Sequence, residues 1–155
     1  SDTHTGVAYD ERPYETFVNS DFLPFQAGID AGADMVLVSH NVVSCMDDQE
    51  PASISLSVHN ILRNELGFDG VIITDDLVME GVRQFAGDEE IAVRAVQAGN
   101  DMLCCTDFEV QVPAVIKAVD TGEITEERLN ESVLRILKLK IELVIIADYQ
   151  NFSNW

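Results

Sequence analysis

Short apolar runs alternate along the chain with longer segments whose apolar residues recur at helical spacing. Three such runs predict buried strands, at residues 34–39, 70–74 and 101–105. The segments with helical periodicity cover residues 20–31, 55–66, 88–98, 109–120 and 125–143. Because strands separated by helices pair in parallel through right-handed crossovers, the pattern predicts an α/β fold with a parallel sheet.

Capping and turn residues mark the predicted helix ends. Ser20 or Asp21 is a candidate N-cap of the first helix, and Asp88 and Thr125 are candidates for later ones. Gly67 follows the second helix and is expected to end it. Each predicted helix therefore has a local signal for at least one of its ends.

A short internal echo indicates a repeated structural unit. The stretch AGADMVL at residues 31–37 is matched by AGNDMLC at 98–104, and ELGFDGVII at 65–73 has the same order of helix end, turn and strand. This order is typical of a (β/α) barrel or a doubly wound sheet. A complete (β/α)₈ barrel has eight strands and typically about 250 residues. The three predicted strands therefore indicate either a small open α/β unit or part of a larger barrel.

Composition narrows the class of protein. The chain has 155 residues, of which 46% are hydrophobic, so a single domain with a real core is expected. No apolar run reaches the roughly 20 residues of a membrane helix, and the first 13 residues lack the basic and apolar regions of a signal peptide. The net charge of −19 argues against nucleic acid or another polyanion as a partner, because phosphate binding needs clustered cations.

The cysteines do not predict a disulfide framework. There are three, Cys45, Cys104 and Cys105, and two of them are adjacent. We expect Cys104 and Cys105, which fall in the third predicted strand, to be small buried hydrophobes. Unpaired thiols favour a reducing, cytoplasmic interior, with the cell envelope or secretion as the alternatives. Neither a CxxC nor an HExxH pattern is present, so no metal or other cofactor is expected.

Polar residues follow each predicted strand. Ser39 and His40 follow the first strand, Asp75 and Asp76 the second, and 106–107 (Thr-Asp) the third. The carboxyl ends of parallel strands meet at one edge of a sheet, where barrel enzymes carry their active sites. The sequence therefore predicts a site at this edge. The alternative is that one of the two acids only caps the turn that follows.

In these motifs the chain resembles glycoside hydrolase family 3, in its β-N-acetylglucosaminidase branch. The segment ELGFDGVIITDDLVMEG looks like the signature of that family. The resemblance extends over residues 1–143 through FLPFQAGIDAGADMVLVSH, PASISLS, AVQAGNDMLCCTD and RLNESVLRILKLKIEL. It implies a partial TIM (β/α)₈ barrel, with the three strands as the sixth, seventh and eighth, followed by a tail at 144–155.

The resemblance also implies catalytic residues. Asp75 corresponds to the nucleophile of a retaining hydrolase that forms a covalent glycosyl-aspartate, and Asp76 to a neighbour that positions or binds the substrate. The stretch Asp2-Thr3-His4 matches an Asp-X-His dyad in which His4 is the general acid/base and Asp2 fixes its tautomer. Away from this context, a histidine near a terminus is usually a surface residue.

Two further residues are candidates for substrate contact. His40 follows a strand directly, where site residues often gather, but it could equally be a hydrogen-bonded strand-end histidine. Met79 follows the two acids and could form an apolar wall for the sugar, or simply pack in the core.

Three functions are compatible with this sequence. The resemblance favours removal of terminal β-linked N-acetylglucosamine from peptidoglycan-derived or chitin-like sugars. A β-glucosidase or β-xylosidase of the same family would take its acid/base from another domain, and the dyad argues against it. A non-catalytic half-barrel that self-associates is the third. A three-strand piece would expose its inner face, so we expect the missing N-terminal barrel half or a second copy as partner, and no activity from this chain alone.

Overall fold

The computed structural model describes residues 6–145. Its strands are Ala8–Asp10 (β1), Met35–Val38 (β2), Asn41–Val43 (β3), Val71–Asp76 (β4) and Met102–Cys104 (β5). Its α-helices are Tyr14–Thr16 (α1), Phe22–Asp30 (α2), Leu56–Asn60 (α3), Glu80–Arg83 (α4), Asp88–Ala98 (α5), Phe108–Asp120 (α6) and Glu126–Glu142 (α7). Within this described part, no helix has the length and apolar character required to cross a membrane.

The predicted parallel sheet is present. It has the order β2-β4-β5, with Val36 opposite Ile72 and Leu37 opposite Ile73. The prediction of an α/β fold with parallel strands is therefore confirmed. A second, two-stranded parallel sheet joins β1 to β3. The sequence analysis missed it, because strands of three residues are too short to show a period.

One face of the three-stranded sheet is covered by helices. Alternate residues of a strand point to opposite faces, and the outward set packs into the apolar core. Val38 and Ile72 lie in one core cluster with Leu62 and Phe68, from the segments between β3 and β4. Near β5, Leu103 packs against clusters formed by α5 and α6. The hydrophobic face of each strand is thus buried beneath the helices that connect it to its neighbours.

Among residues 6–145, the opposite face of the sheet is only partly covered: Val71, opposite Met35, is buried, but its neighbours on β2 are not. Leu37 is 57% exposed and Met35 39% exposed, and both lie on the same face as Ile73. Cys104, two residues after Met102, is also exposed, as is Cys45. The expectation of burial was wrong for Cys104, because no layer among the described residues covers the part of the face that carries it, whereas Cys105 is half-buried.

Most predicted helix bounds agree with the structure to within two residues, but the first helical segment begins earlier than expected. It starts at Tyr14 and passes through a π-helical turn at Phe17–Asp21 before α2. Pro24 lacks an N–H group and would crowd the carbonyl of Ser20 in a regular α-helix, and a widened turn at this point relieves that conflict. Ser20 and Asp21 therefore lie inside the helical segment rather than at its cap.

The caps of the later helices have mixed outcomes. The Thr125 side chain accepts a hydrogen bond from Arg128 N at 3.2 Å, which confirms it as the N-cap of α7. Asp88 instead lies in the first turn of α5, after an N-cap at Gly87. Its carboxylate still suits that position, because the positive end of the helix dipole is there.

A buried carboxylate fastens α7 to the sheet. Asp101 directly precedes β5, and its side chain is fully buried. It accepts hydrogen bonds from Arg63 (2.6 Å), Ser132 (2.7 Å) and Arg135 (3.1 Å), and from the backbone N–H of Ile72 (3.0 Å). Residues from three separate segments of the chain therefore converge on one charge at the amino end of the sheet.

Candidate active site

The carboxyl end of β4 contains an irregularity that brings out two consecutive acids. Ile73 is opposite Met102, whereas Asp76 is opposite Cys104, so three steps along β4 correspond to two along β5. The extra residue is a β-bulge, a feature that often re-aims side chains beside active sites. The Thr74 hydroxyl accepts the Cys104 N–H at 3.0 Å and compensates for the interrupted ladder.

Asp75 and Asp76 lie between two fully buried residues. Thr74 and Leu77 each have 0% exposure, whereas both aspartates are partly exposed. Strict alternation along a strand would have buried one of the two acids, and the bulge removes that constraint. The bulge therefore accounts for the partial exposure of two adjacent acids at the end of an apolar strand.

The Asp75 side chain keeps most of its hydrogen-bonding capacity. Its Oδ1 accepts the backbone N–H of Asp76 at 2.8 Å. Among residues 6–145 this is its one recorded hydrogen bond, and a carboxylate has about four lone-pair positions. Asp75 follows the buried Thr74 at the bulge and is itself partly exposed. Its carboxylate lies at the carboxyl edge of the sheet rather than beneath the outer helices.

Asp76 is held much more firmly. Its carboxylate accepts the hydroxyl hydrogen of Thr106, the Thr106 N–H at 3.2 Å and the Val78 N–H at 3.3 Å. Burial alone would raise the pKa of Asp76, but these hydrogen bonds outweigh burial and hold the pKa below its usual range. The carboxylate of Asp76 is thus engaged with the segment after β5.

His40 does not face the open edge. Its ring is fully buried, and it lies between two protein groups: Nδ1 is 2.7 Å from Ser53 Oγ, and Nε2 is 2.9 Å from the Asp76 carbonyl oxygen. Burial lowers the pKa of His40, against the opposing influence of that carbonyl and of the charges of Asp75 and Asp76. Among residues 6–145, both ring nitrogens of His40 are bonded and its whole ring surface is enclosed, so its contact with a substrate stays a prediction.

The remaining candidate site residues are Met79, Asp2 and His4. Met79 lies just before α4 and is buried, with 8% exposure, so its contact with a sugar stays a prediction. Asp2 and His4 lie outside the described residues. The structure thus brings together Asp75, Asp76 and His40 and leaves the proposed dyad to be tested.

Two residues of this cluster were not singled out from the sequence. Thr106 bonds Asp76 from the segment after β5, and Ser53 bonds His40 from a 3₁₀-helix at Ala52–Ile54. The position of Thr106 directly after a strand was a usable signal. Ser53 had no such signal, because only the tertiary fold brings it next to a histidine 13 residues away.

A parallel α/β sheet with carboxylates at the carboxyl ends of its strands is the arrangement found in (β/α) barrel enzymes. Comparison with known proteins identifies the family. The family model described as "Glycosyl hydrolase family 3 N terminal domain" matches residues 1–139. The chain belongs to glycosyl hydrolase family 3, as its resemblance indicated.

Individual relatives agree with that assignment. A β-hexosaminidase of Nitrosomonas eutropha is 32% identical over 146 residues, which cover 90% of this chain and 42% of the relative. A solved family 3 β-N-acetylglucosaminidase from Paenibacillus sp. str. FPU-7 is 34% identical with a TM-score of 0.89, and the match covers 96% of this chain and 29% of that one. The β-glucoside phosphorylase BglX is 27% identical with a TM-score of 0.86, over 95% of this chain and 29% of that one. The chain thus spans well under half the length of these relatives.

Proposed function

We propose that the protein containing this chain is a retaining β-N-acetylhexosaminidase that removes terminal β-linked N-acetylglucosamine, with Asp75 as its nucleophile. The observation that carries the proposal is the partly exposed Asp75 carboxylate at the carboxyl end of β4. The β-hexosaminidase and β-N-acetylglucosaminidase names of the relatives support this choice of sugar.

The chemistry takes two displacements. A carboxylate oxygen of Asp75 attacks the anomeric carbon, and the bond to the leaving oxygen breaks as His4 donates a proton to that oxygen. His4, now neutral, then takes a proton from water, whose oxygen attacks the same carbon and releases Asp75. Asp2 holds His4 in the required tautomer and stabilises its protonated form. The roles of Asp2 and His4 depend on the resemblance alone.

The strands β2, β4 and β5 would be the sixth to eighth strands of a (β/α)₈ barrel. In support of this, helices cover one face of the sheet while the other exposes Met35 and Leu37, as an inner barrel wall would when separated from its opposite side. The remaining barrel strands fit this face better than a second copy does, because two chains of net charge −19 would repel each other.

Cysteine labelling tests the partner. Cys104 lies on the partly covered face and Cys45 on another exposed segment, so Cys45 is an internal reference. In the full-length protein expressed from its own gene, we expect Cys104 to react with a thiol reagent much more slowly than in the isolated chain, relative to Cys45. An unchanged ratio of the two labelling rates would contradict a covered face, and a ratio that depends on the concentration of the isolated chain would indicate a second copy.

Kinetics of site variants test the activity. With 4-nitrophenyl β-N-acetylglucosaminide, Asp75→Ala in the full-length protein should lower kcat/KM by roughly 10⁴-fold or more, since the nucleophile is lost. His4→Ala should lose about 10²- to 10⁴-fold, and less on substrates whose leaving group needs no proton. A fluorinated N-acetylglucosaminyl donor should leave its sugar on the peptide that contains Asp75.

A matched control and two competing outcomes complete the test. Asp107→Ala removes a carboxylate after the neighbouring strand, at the N-cap of α6, and should change turnover little. Greater activity on β-glucosides or β-xylosides would favour the other glycosidases of the family, and a sugar phosphate formed in inorganic phosphate would indicate phosphorolysis. If Asp75→Ala and His4→Ala both leave turnover unchanged, the chain has a structural role instead.

A further inference from the structure

We infer that Asp76, Thr106 and His40 form a positioning clamp that aims the Asp75 carboxylate at the open edge of the sheet. This inference depends on the proposed role of Asp75 as nucleophile. It gives Asp76 and His40 a task other than contact with the sugar, and it adds Thr106 to the residues on which turnover depends. The group is called the Asp76 clamp below.

The first link joins the two aspartates. The Asp76 N–H donates to Asp75 Oδ1 at 2.8 Å, so the orientation of the peptide unit between residues 75 and 76 sets the orientation of the Asp75 carboxylate. Any rotation of that peptide would turn one carboxylate oxygen. The nucleophile is therefore only as well placed as the backbone of Asp76.

The second link ties Asp76 to β5. Its side chain accepts both the hydroxyl and the N–H of Thr106, on the segment directly after β5. This double contact closes the sheet edge beyond the bulge, where the regular ladder between β4 and β5 is interrupted. Without it, the end of β4 would be joined to β5 by fewer bonds just where Asp75 is carried.

The third link ties Asp76 to the segment after β2. The Asp76 carbonyl can only accept, so His40 Nε2 carries the hydrogen at 2.9 Å and neutral Nδ1 accepts from the Ser53 hydroxyl at 2.7 Å. The same carbonyl accepts the Met79 N–H at 3.1 Å, which starts the turn into α4. Asp76 is thus restrained through its N–H, its side chain and its carbonyl, and through both neighbouring strands.

Such restraint matters for a nucleophile. Active-site groups must be held within about 0.5 Å and 10–20° of the productive geometry, and a displacement of about 1 Å can cost on the order of 10²-fold in rate. The clamp supplies this restraint from groups that do not touch the sugar. Its loss should therefore lower kcat rather than raise KM.

Thr106 offers the sharpest test, because its side chain is exposed and its replacement should not unfold the protein. Thr106→Val removes the hydroxyl but keeps the shape and the backbone N–H, whereas Thr106→Ser keeps the hydroxyl. In the full-length protein with 4-nitrophenyl β-N-acetylglucosaminide, we expect Thr106→Val to lower kcat about 10- to 100-fold. KM should stay within about threefold of wild type. Thr106→Ser should retain most of the wild-type kcat, and both variants should keep the wild-type Tm.

A titration by NMR gives a readout that does not depend on turnover. The hydrogen bond from the Thr106 hydroxyl is one of those that lower the pKa of Asp76. The pKa of Asp76 should therefore rise in Thr106→Val and stay low in Thr106→Ser. An Asp76 pKa that does not move in Thr106→Val would overturn the clamp.

Including Asp75→Ala separates the possible failures. If Asp75→Ala is inactive and Thr106→Val has wild-type kcat, the clamp is wrong and the proposed function stands. If Asp75→Ala keeps full activity, or the wild-type protein hydrolyses none of the glycosides, the proposed function fails and the clamp fails with it. If Thr106→Ser is as slow as Thr106→Val and both lose Tm, the role of Thr106 is merely structural.

Discussion

Replacing Asp101 by Asn should destabilise this fold more than any comparable change at a surface ion pair. The Asp101 side chain is fully buried, and the side chains of Arg63, Arg128 and Arg135 lie within 3.9 Å of it, themselves 17%, 19% and 30% exposed. Asn has the same shape, so the substitution removes one charge and turns one acceptor into a donor without leaving a cavity.

The hydrogen bonds of the Asp101 carboxylate determine how much stability the substitution should cost. Oδ2 accepts from Arg63 at 2.6 Å and from Ile72 N at 3.0 Å, while Oδ1 accepts from Ser132 at 2.7 Å and Arg135 at 3.1 Å. Whichever way the amide is turned, its NH₂ group faces donors on one side. Removing one partner of a buried charge cluster typically costs about 3–5 kcal/mol, because the remaining charges stay buried without compensation. We expect a loss of this size in the free energy of unfolding.

Urea unfolding followed by circular dichroism measures the loss. The matched control is Asp88→Asn, which breaks an exposed pair with Arg83 at 2.9 Å, where the side chains are 29% and 42% exposed. An exposed pair contributes about 0–1 kcal/mol, and a first-turn carboxylate adds a similar helix-dipole contribution. If Asp101→Asn costs no more than Asp88→Asn, then the buried cluster does not hold α7 to the sheet, and this reasoning is wrong.

Two further predictions concern packing and pH. Gly70→Ala should lower the free energy of unfolding by about 1–3 kcal/mol, because an added Cβ would lie 2.5 Å from the Asp34 carbonyl oxygen. The control is Gly28→Ala, which should be neutral or stabilising because a Cβ there meets nothing within 4 Å. Similar urea midpoints for the two variants would contradict this prediction. Burial lowers the pKa of both His40 and His59, so below the ordinary value of 6.5 the unfolded chain takes up protons before the folded one does. The contribution of these two histidines to stability is therefore complete above about pH 6.5 and is lost as pH falls through their lower folded pKa values. We expect Tm to fall between about pH 7.5 and about pH 5.5, and to fall by less in His59→Asn, which keeps a donor for the Ser55 carbonyl. An equal fall in both proteins would show that His59 does not contribute.

The elements that the sequence predicted well are those with long, regular patterns. The helix predicted at 88–98 is present as Asp88–Ala98, and the strand predicted at 70–74 as Val71–Asp76. Their apolar spacing and turn residues are local properties that can be recognised from consecutive residues. The three-residue strands β1 and β3 show no such pattern, and the π-helical turn before Pro24 results from a conflict that secondary-structure preferences do not describe.

In the candidate site, too, some features could be predicted from local sequence and others depended on the tertiary structure. The sequence by itself determined that two acids follow an apolar strand at 71–73 and, through its resemblance, that the chain belongs to a glycosidase family. Only the tertiary structure decided that the bulge leaves both acids partly exposed, that Asp76 bonds Thr106, and that His40 lies buried beneath the carbonyl of Asp76. The physical reason is that hydrophobic spacing is a property of consecutive residues, whereas the hydrogen bonds of this site join residues as far apart in the chain as His40 and Asp76, which are 36 positions from each other.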